Sequence, residues 1–392
     1  MYIYSRELKA GVPIESLEKL KILLCGAGNT GSHFTERAAK NFIKNLHILD
    51  FDPKGYEKHN FPHSSILLNP EEDEGKNKAE TLAMRANQKL LHGGKYIGKT
   101  MDVRDLGPEF VKNYDFVLGF FDNTEARAHL YRISRQAGVP FIEVGIGNIS
   151  GQLQAFDHSE NAPCYGCSMQ TDRMRNPCEY IYKNDLENNI AGATDILGAI
   201  MADLAMAFIM SSFNKENTLK WNTKYVFNLQ NFTLETYTFV KKPNCILCGE
   251  PLDKNEPVEI DGSINSLSFN DLKDKIKQTL GDDFIILLPA SFVEKEYCPV
   301  CGKEHSIMKP LYKVSMSEII CPECIDNPNH EYHKESITYS GADDFPDYLS
   351  KLKLIDLGFK YGEHISVLDN SSNIHKFNLK EDKATSNIFK EE

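Results

Sequence analysis

A G-x-G-x-x-G hexad, Gly26-Ala27-Gly28-Asn29-Thr30-Gly31, stands between the short apolar run KILLC (residues 21–25) and a stretch of helical composition. A second apolar run, LHILDFD, follows and ends in Asp50 and Asp52. Strand, glycine turn, helix and strand in this order form the opening βαβ unit of a parallel sheet. Glycines there let the backbone approach phosphates, and the helix N-terminus offers free N–H groups and positive potential. An acid closing the second strand is placed to bond ribose hydroxyls, with Asp52 the first candidate and Asp50 the alternative. Tight packing alone would also call for such glycines, so the acids carry the nucleotide reading.

The alternation continues. Residues 77–91 read as a helix, YDFVLGFF (114–121) as a buried strand, 125–137 as a helix and VPFIEVGIG as a strand, with further strands over 146–157. This pattern predicts a Rossmann-like, doubly wound, mostly parallel α/β sheet. After Pro163 a polar stretch over 168–190 reads as a crossover loop, followed by an apolar helix over 190–210 and a hairpin over 224–240. Residues 1–250 are therefore expected to form the nucleotide domain. Residues 255–392 read as a smaller C-terminal α+β module with its own zinc site.

Charge and cysteine usage narrow the class. A net charge of −12 argues against nucleic-acid binding, which calls for clustered Lys and Arg. The apolar helix holds Asp195 and Asp203, which argues against a membrane span and for a core or interface helix. The first residues lack a basic region followed by an apolar one, so the cytoplasm is the expected location. Eight of the ten cysteines fall in four C-x-x-C pairs, which in that setting favours zinc over disulfides.

A Rossmann site alone points first to NAD or FAD. Asn60, His63 and Lys78 follow Asp52, however, and Asp122-Asn123 follow the strand VLGFF with Arg127 one turn on. Hydride transfer needs neither a lysine nor a magnesium-binding acid beside phosphates. Adenylation needs both, because charge develops on the α-phosphate and the departing pyrophosphate. Taken singly, Lys78 also reads as a solvated helix residue and Asp122 as a helix N-cap; their joint spacing favours the functional reading.

GAGNTG, LDFD, HNFPHS, GKNK, FDN and PCYGC, in this order over residues 1–250, resemble the adenylation domain of the ThiF/MoeB/E1 superfamily. The resemblance implies ATP and Mg²⁺, with Asp52 on the ribose, Asn60 and Lys78 at the phosphates, and Asp122 on magnesium. Relatives commonly carry arginine where this chain has His63, which puts that phosphate contact in question. Arg6 is the candidate replacement, since such enzymes often donate an N-terminal arginine across a dimer; a solvated surface charge is the competing reading. A homodimer is expected, with the 190–210 helix at its interface.

Cys164-x-x-Cys167 and Cys245-x-x-Cys248 would close one Cys₄ zinc site, a place where the resembled family holds a structural zinc. Cys298-x-x-Cys301 and Cys321-x-x-Cys324 match a second such pattern, although 245/248 could instead join 298/301. Four thiolates fill the coordination sphere, so both sites are expected to be structural. Cys25 reads as buried packing. Cys178 lies in the polar stretch near Arg173 and Arg175, which would favour its thiolate, and is the candidate nucleophile for a thioester.

The expectation is an E1-like enzyme that adenylates the C-terminal glycine of a ubiquitin-like protein and hands the acyl group, through Cys178, to an E2-like partner. A sulfur-carrier adenylyltransferase of the ThiF/MoeB type uses the same adenylation residues and is the alternative. A non-catalytic nucleotide-binding scaffold is the rival from another class, and an NAD-dependent oxidoreductase lacks a visible hydride-transfer dyad.

Overall fold

The computed structural model describes residues 4–9, 11–121, 123–159, 162–168, 193–213, 219–242, 257–298, 300–314, 318, 321, 323–324, 335–341, 345–371 and 373–381. The chain divides into two compact units: Met1–Arg104 with Val111–Glu250 and Ile388–Glu392, and Asp105–Phe110 with Pro251–Asn387.

In the first unit the strands are β1 (Lys21–Cys25), β2 (Asn45–Asp50), β3 (Lys95–Thr100), β4 (Phe116–Gly119), β5 (Phe141–Ile146), β6 (Ser150–Phe156), β7 (Thr223–Asn228) and β8 (Thr233–Thr238). Among the described residues they form one sheet in the order β3-β2-β1-β4-β5-β6-β7-β8. Strands β3 through β5 in that order are parallel, and β6, β7 and β8 then add antiparallel. Chain order reverses between β1 and β4, which opens a crevice at their carboxyl ends. Four residues of β1 and all of β4 are buried, as parallel strands covered on both faces require.

The helices beside this sheet are α1 (Asn29–Lys40), α2 (Lys78–Asn87), α3 (Thr124–Ala137) and α4 (Ala193–Ser211). Helix α2 starts where the Asn77 side chain accepts the Glu80 N–H, an N-cap that fixes Lys78 at its first position. Helix α4 is long and apolar enough to cross a bilayer by composition alone. Its Leu197, Met201, Ala205 and Phe208 are buried in the core, and α4 packs along α1 and against β5 and β6. Both of its aspartates have partners on α1: Asp195 lies 3.0 Å from His33 Nε2 and Asp203 lies 2.7 Å from Arg37 Nε. The polar stretch between β6 and α4, with Cys178, lies outside the described residues.

The second unit contains β9 (Val258–Ile260), α5 (Phe269–Leu280), β10 (Phe284–Tyr297), β11 (Glu304–Pro310), β12 (Glu335–Gly341), β13 (Ile365–Asp369) and β14 (Ile374–Leu379). Among the described residues the sheet runs β11-β10-β13-β14-β9, with β12 pairing β10. Strand β10 uses its first residues against β13 and its last against β11 and β12, so it serves as a shared spine. A Ser268/Asp271 capping box starts α5, whose Phe269, Leu272 and Ile276 enter a core with Phe292, Leu354 and Phe377.

Candidate functional site

Each glycine of the hexad has a separate task. Gly26 has φ +103°, and an added Cβ would lie 2.1 Å from the Phe120 carbonyl oxygen. A Cβ on Gly31 would lie 2.0 Å from the Gly26 carbonyl oxygen, so Gly31 allows α1 to close on the turn. Gly28 differs: a Cβ there meets nothing within 4 Å. Two glycines therefore serve packing, and the middle one leaves open space at the N-terminus of α1, where a phosphate gains most from the backbone N–H groups.

The two strand-end aspartates are also distinct. Asp50 accepts the Ala27 N–H at 2.7 Å and the Asp52 N–H at 2.9 Å, which ties the glycine turn to the end of β2. Its burial raises the carboxyl pKa, a pull the two backbone donors only partly offset. Asp52 lies 2.6 Å from Lys78 Nζ. Burial pulls the Asp52 carboxyl upward, but the Lys78 ammonium and the Lys54 N–H outweigh it and hold the pKa below the ordinary value. Tyr56 donates to the Ala27 carbonyl oxygen at 2.6 Å, and Lys78 sits 6.0 Å from the Tyr56 ring centroid. The cation, the ring and the turn form one assembly.

These groups border a cavity of about 500 Å³ at the carboxyl ends of β1, β2 and β4, a volume within the range of small-molecule sites. Gly26, Gly28, Asp50, Asp52, Asn60, Lys78 and Asn123 all line it. Asn60 Oδ1 accepts the Glu57 N–H at 2.9 Å, which fixes its amide. Asn123 Oδ1 accepts the Ala126 N–H at 3.0 Å and so caps α3, the role the sequence had left open for its neighbour. Asp122 lies outside the described residues. Gly31 stands behind the turn, and His63 and Arg6 are not among the lining residues. His63 Nδ1 lies 2.9 Å from Thr194 Oγ1, which anchors it to the start of α4, and Arg6 is exposed on the short helix Ser5–Lys9.

Polar groups at and behind the cavity wall had no role in the sequence reading, which named Arg127 only by its position one turn past Asp122-Asn123. Arg127 donates through Nε to the Phe121 carbonyl oxygen at 2.6 Å, and its Nη1 lies 3.4 Å from Glu143 Oε2. Glu143 is fully buried on β5 and accepts Gln154 Nε2 at 2.7 Å. A lone acid inside the apolar run FIEVGI was the available signal. On the opposite wall, beyond β3, Arg104 is paired with Asp102; the Asp-x-Arg triplet directly after an apolar strand was its only sequence trace.

The second unit holds a cysteine cluster. The Sγ atoms of Cys298, Cys301, Cys321 and Cys324 all lie within 4.8 Å of one another, with three of the four residues buried. Sγ–Sγ distances are 3.8 Å for Cys298–Cys324 and 3.7 Å for Cys301–Cys321. A tetrahedron with zinc–sulfur bonds of about 2.3 Å has an edge of about 3.8 Å, whereas a disulfide needs about 2.05 Å. The donor set and spacing fit zinc. Gly302, at φ +70°, closes the turn by donating its N–H to the Cys298 carbonyl oxygen at 2.9 Å. In the first unit Cys164 and Cys167 have Sγ atoms 3.6 Å apart, and the Lys242 N–H points to Cys167 Sγ at 3.3 Å. Cys245 and Cys248 lie outside the described residues.

Comparison with known proteins gives concordant matches. The model of the ThiF family matches residues 4–247. SUMO-activating enzyme subunit 2 of Dictyostelium discoideum is 27% identical over 161 residues, covering 39% of this chain and 22% of its own length. The NEDD8-activating enzyme E1 catalytic subunit of Saccharomyces cerevisiae is 26% identical over 160 residues, covering 38% and 52%. Molybdopterin-synthase adenylyltransferase of Haemophilus influenzae is 27% identical over 154 residues, covering 38% and 60%. The chain thus spans between 22% and 60% of the length of these relatives. The crystal structure of E. coli MccB with AMPCPP and selenomethionine MccA aligns at TM-score 0.50 and 17% identity, over 63% of this chain and 74% of that one. At that identity the likeness concerns the fold.

Proposed function

This chain belongs to the ThiF family, whose model matches residues 4–247, and we propose from that premise that it uses ATP to adenylate the C-terminal carboxylate of a ubiquitin-like or sulfur-carrier β-grasp protein. The observation that carries the reading is the Lys78–Asp52 pair, 2.6 Å apart at the rim of the glycine turn and inside the cavity at the switch point of the sheet. A carboxylate oxygen of the carrier attacks the α-phosphorus, the bond to the bridging oxygen breaks, and pyrophosphate leaves with the electron pair. No proton moves, so the protein's contribution is placement and charge. Lys78 and the N-terminus of α1 face the phosphates, Asp52 takes the ribose, and Asn60 steadies the phosphate chain. Asp122 is the residue proposed to hold Mg²⁺, which when bound shields the phosphate charge.

Similarity to the SUMO and NEDD8 activating subunits supports a further step. In it the Cys178 thiolate attacks the acyl carbon, AMP leaves, and a thioester forms for transfer to an E2-like protein. Similarity to molybdopterin-synthase adenylyltransferase supports the second reading, in which the adenylate is consumed by a sulfur donor. Cys164 and Cys167 are proposed to join Cys245 and Cys248 around a second zinc. The Lys242 N–H at Cys167 brings the chain to within three residues of Cys245 at that point. A cytoplasmic homodimer, with Arg6 reaching the neighbouring site and the outer face of α4 at the contact, completes the reading, and the C-terminal unit is assigned to partner binding.

Mass spectrometry of a carrier protein incubated with enzyme and ATP tests the proposal. An added AMP on the carrier supports it. A hydroxylamine-sensitive carrier–enzyme adduct lost in Cys178→Ala selects the E1-like form. An unmodified carrier in every combination of genomically adjacent β-grasp proteins would argue for the scaffold instead.

A further inference from the structure

The cavity has a wall that the adenylation reading does not use. Beyond the end of β3 it is lined by Met101, Asp102, Val103 and Arg104. Asp102 is buried, at 4% exposure, and grips Arg104 on one edge: Nε lies 3.0 and 3.1 Å from the two carboxylate oxygens and Nη2 lies 2.8 Å from Oδ2. Asp102 Oδ1 also accepts the Arg104 backbone N–H at 2.9 Å, so side chain and backbone are fixed together. A guanidinium held edge-on presents a flat face at little further entropic cost.

Position decides what that face meets. Strand β3 is two strands from β1, and strands lie about 4.8 Å apart, so this wall stands about 10 Å from the phosphate turn. Asp52 stands between them, two residues beyond the end of β2. A nucleotide with phosphates at Gly28 and ribose at Asp52 carries its base to β3. The pairing with Asp102 also cancels the arginine's net charge, which suits a neutral aromatic ring better than an anion.

We propose that Arg104, clamped by Asp102, stacks on the adenine ring and is a base-recognition residue of this site; the inference rests on the nucleotide reading given above. A planar cation over an aromatic face is favourable, and more so when partly desolvated. The sharpest variant is Arg104→Lys, which keeps a positive partner for the buried Asp102 while removing the plane and its two-nitrogen grip.

Calorimetric titration of the full-length protein with ATP and, separately, with inorganic tripolyphosphate tests this. The expected result is a roughly tenfold weaker ATP affinity in Arg104→Lys, unchanged tripolyphosphate affinity and a thermal midpoint that leaves the protein folded at the titration temperature. Equal loss for both ligands would overturn the inference and make Arg104 a phosphate contact. Unchanged ATP affinity would also overturn it. Wild-type protein that binds tripolyphosphate but no ATP would remove the nucleotide reading itself, and the inference with it.

Discussion

Lys78 Nζ lies 2.6 Å from the Asp52 carboxylate, so a cation of the nucleotide cavity is held in place by the acid assigned to the ribose. The ion pair is partly solvated, with side-chain exposures of 12% and 32%, and stabilises the fold by no more than about 1 kcal/mol. Its value is positional. Lys78→Ala is expected to lower the adenylation rate by about 10²–10³-fold while moving the thermal midpoint by only a few degrees. Single-turnover kinetics beside a thermal melt check both, and a large stability loss with normal turnover would contradict the assignment.

The glycines separate folding from binding. Gly26→Ala forces a side chain into φ +103° and against the Phe120 carbonyl, and is expected to cost about 3 kcal/mol or more. Gly28→Ala meets open space, so it should fold normally yet lose most ATP affinity because its methyl occupies the phosphate path. Urea unfolding and ATP titration of the two variants should give opposite patterns.

This division shows how far the sequence was legible. The βαβ opening, the later strands and the hairpin follow from apolar periodicity and glycine placement, and they appear in the sheet at the expected positions. The choice between Asp50 and Asp52 did not, because both close the same run LHILDFD; only the Ala27 and Asp52 N–H groups on Asp50 show that it organises the turn. His63 looked like a phosphate ligand by its place in the motif order, yet its partner Thr194 comes from a helix 131 residues away. Glu143 and Arg127 went without a role for the same reason, since a pair between a helix and a strand leaves no local pattern, whereas the Arg104 pair with Asp102 is local and left only the Asp-x-Arg triplet as its trace. Strand β10 runs well past its apolar start FIILL, because its later residues EKEY are held by pairing with β11 and β12, not by apolar content.

Histidine burial sets the acid limit. His47, bonded to the Tyr114 hydroxyl at 2.8 Å, and His158, bonded to the Val139 carbonyl at 2.8 Å, both have pKa values lowered from 6.5 to about 4, chiefly by desolvation. Below pH 6.5 the unfolded chain takes up protons that the native state refuses, so stability is complete above 6.5 and falls as pH drops toward 4. The loss should reach a few kcal/mol across that window. His47→Gln is expected to flatten the slope of urea stability against pH; an unchanged slope would place the titration elsewhere.

Zinc analysis distinguishes the two cysteine sets. Elemental analysis should find two zinc ions per chain, falling to one in Cys321→Ser. That variant is expected to destabilise the C-terminal unit, since metal binding there is coupled to folding. One zinc in the wild type, lost entirely in Cys321→Ser, would confine the metal to the cluster of 298, 301, 321 and 324.

The most direct test of the account is ATP–pyrophosphate exchange, measured with candidate β-grasp proteins encoded nearby. The account predicts exchange that requires both the carrier and its C-terminal glycine, and that disappears in Lys78→Ala and Asp122→Ala. Carrier-independent exchange would contradict a β-grasp carboxylate as the substrate, and no exchange from folded, zinc-loaded protein with any carrier would contradict adenylation and leave a nucleotide-binding scaffold.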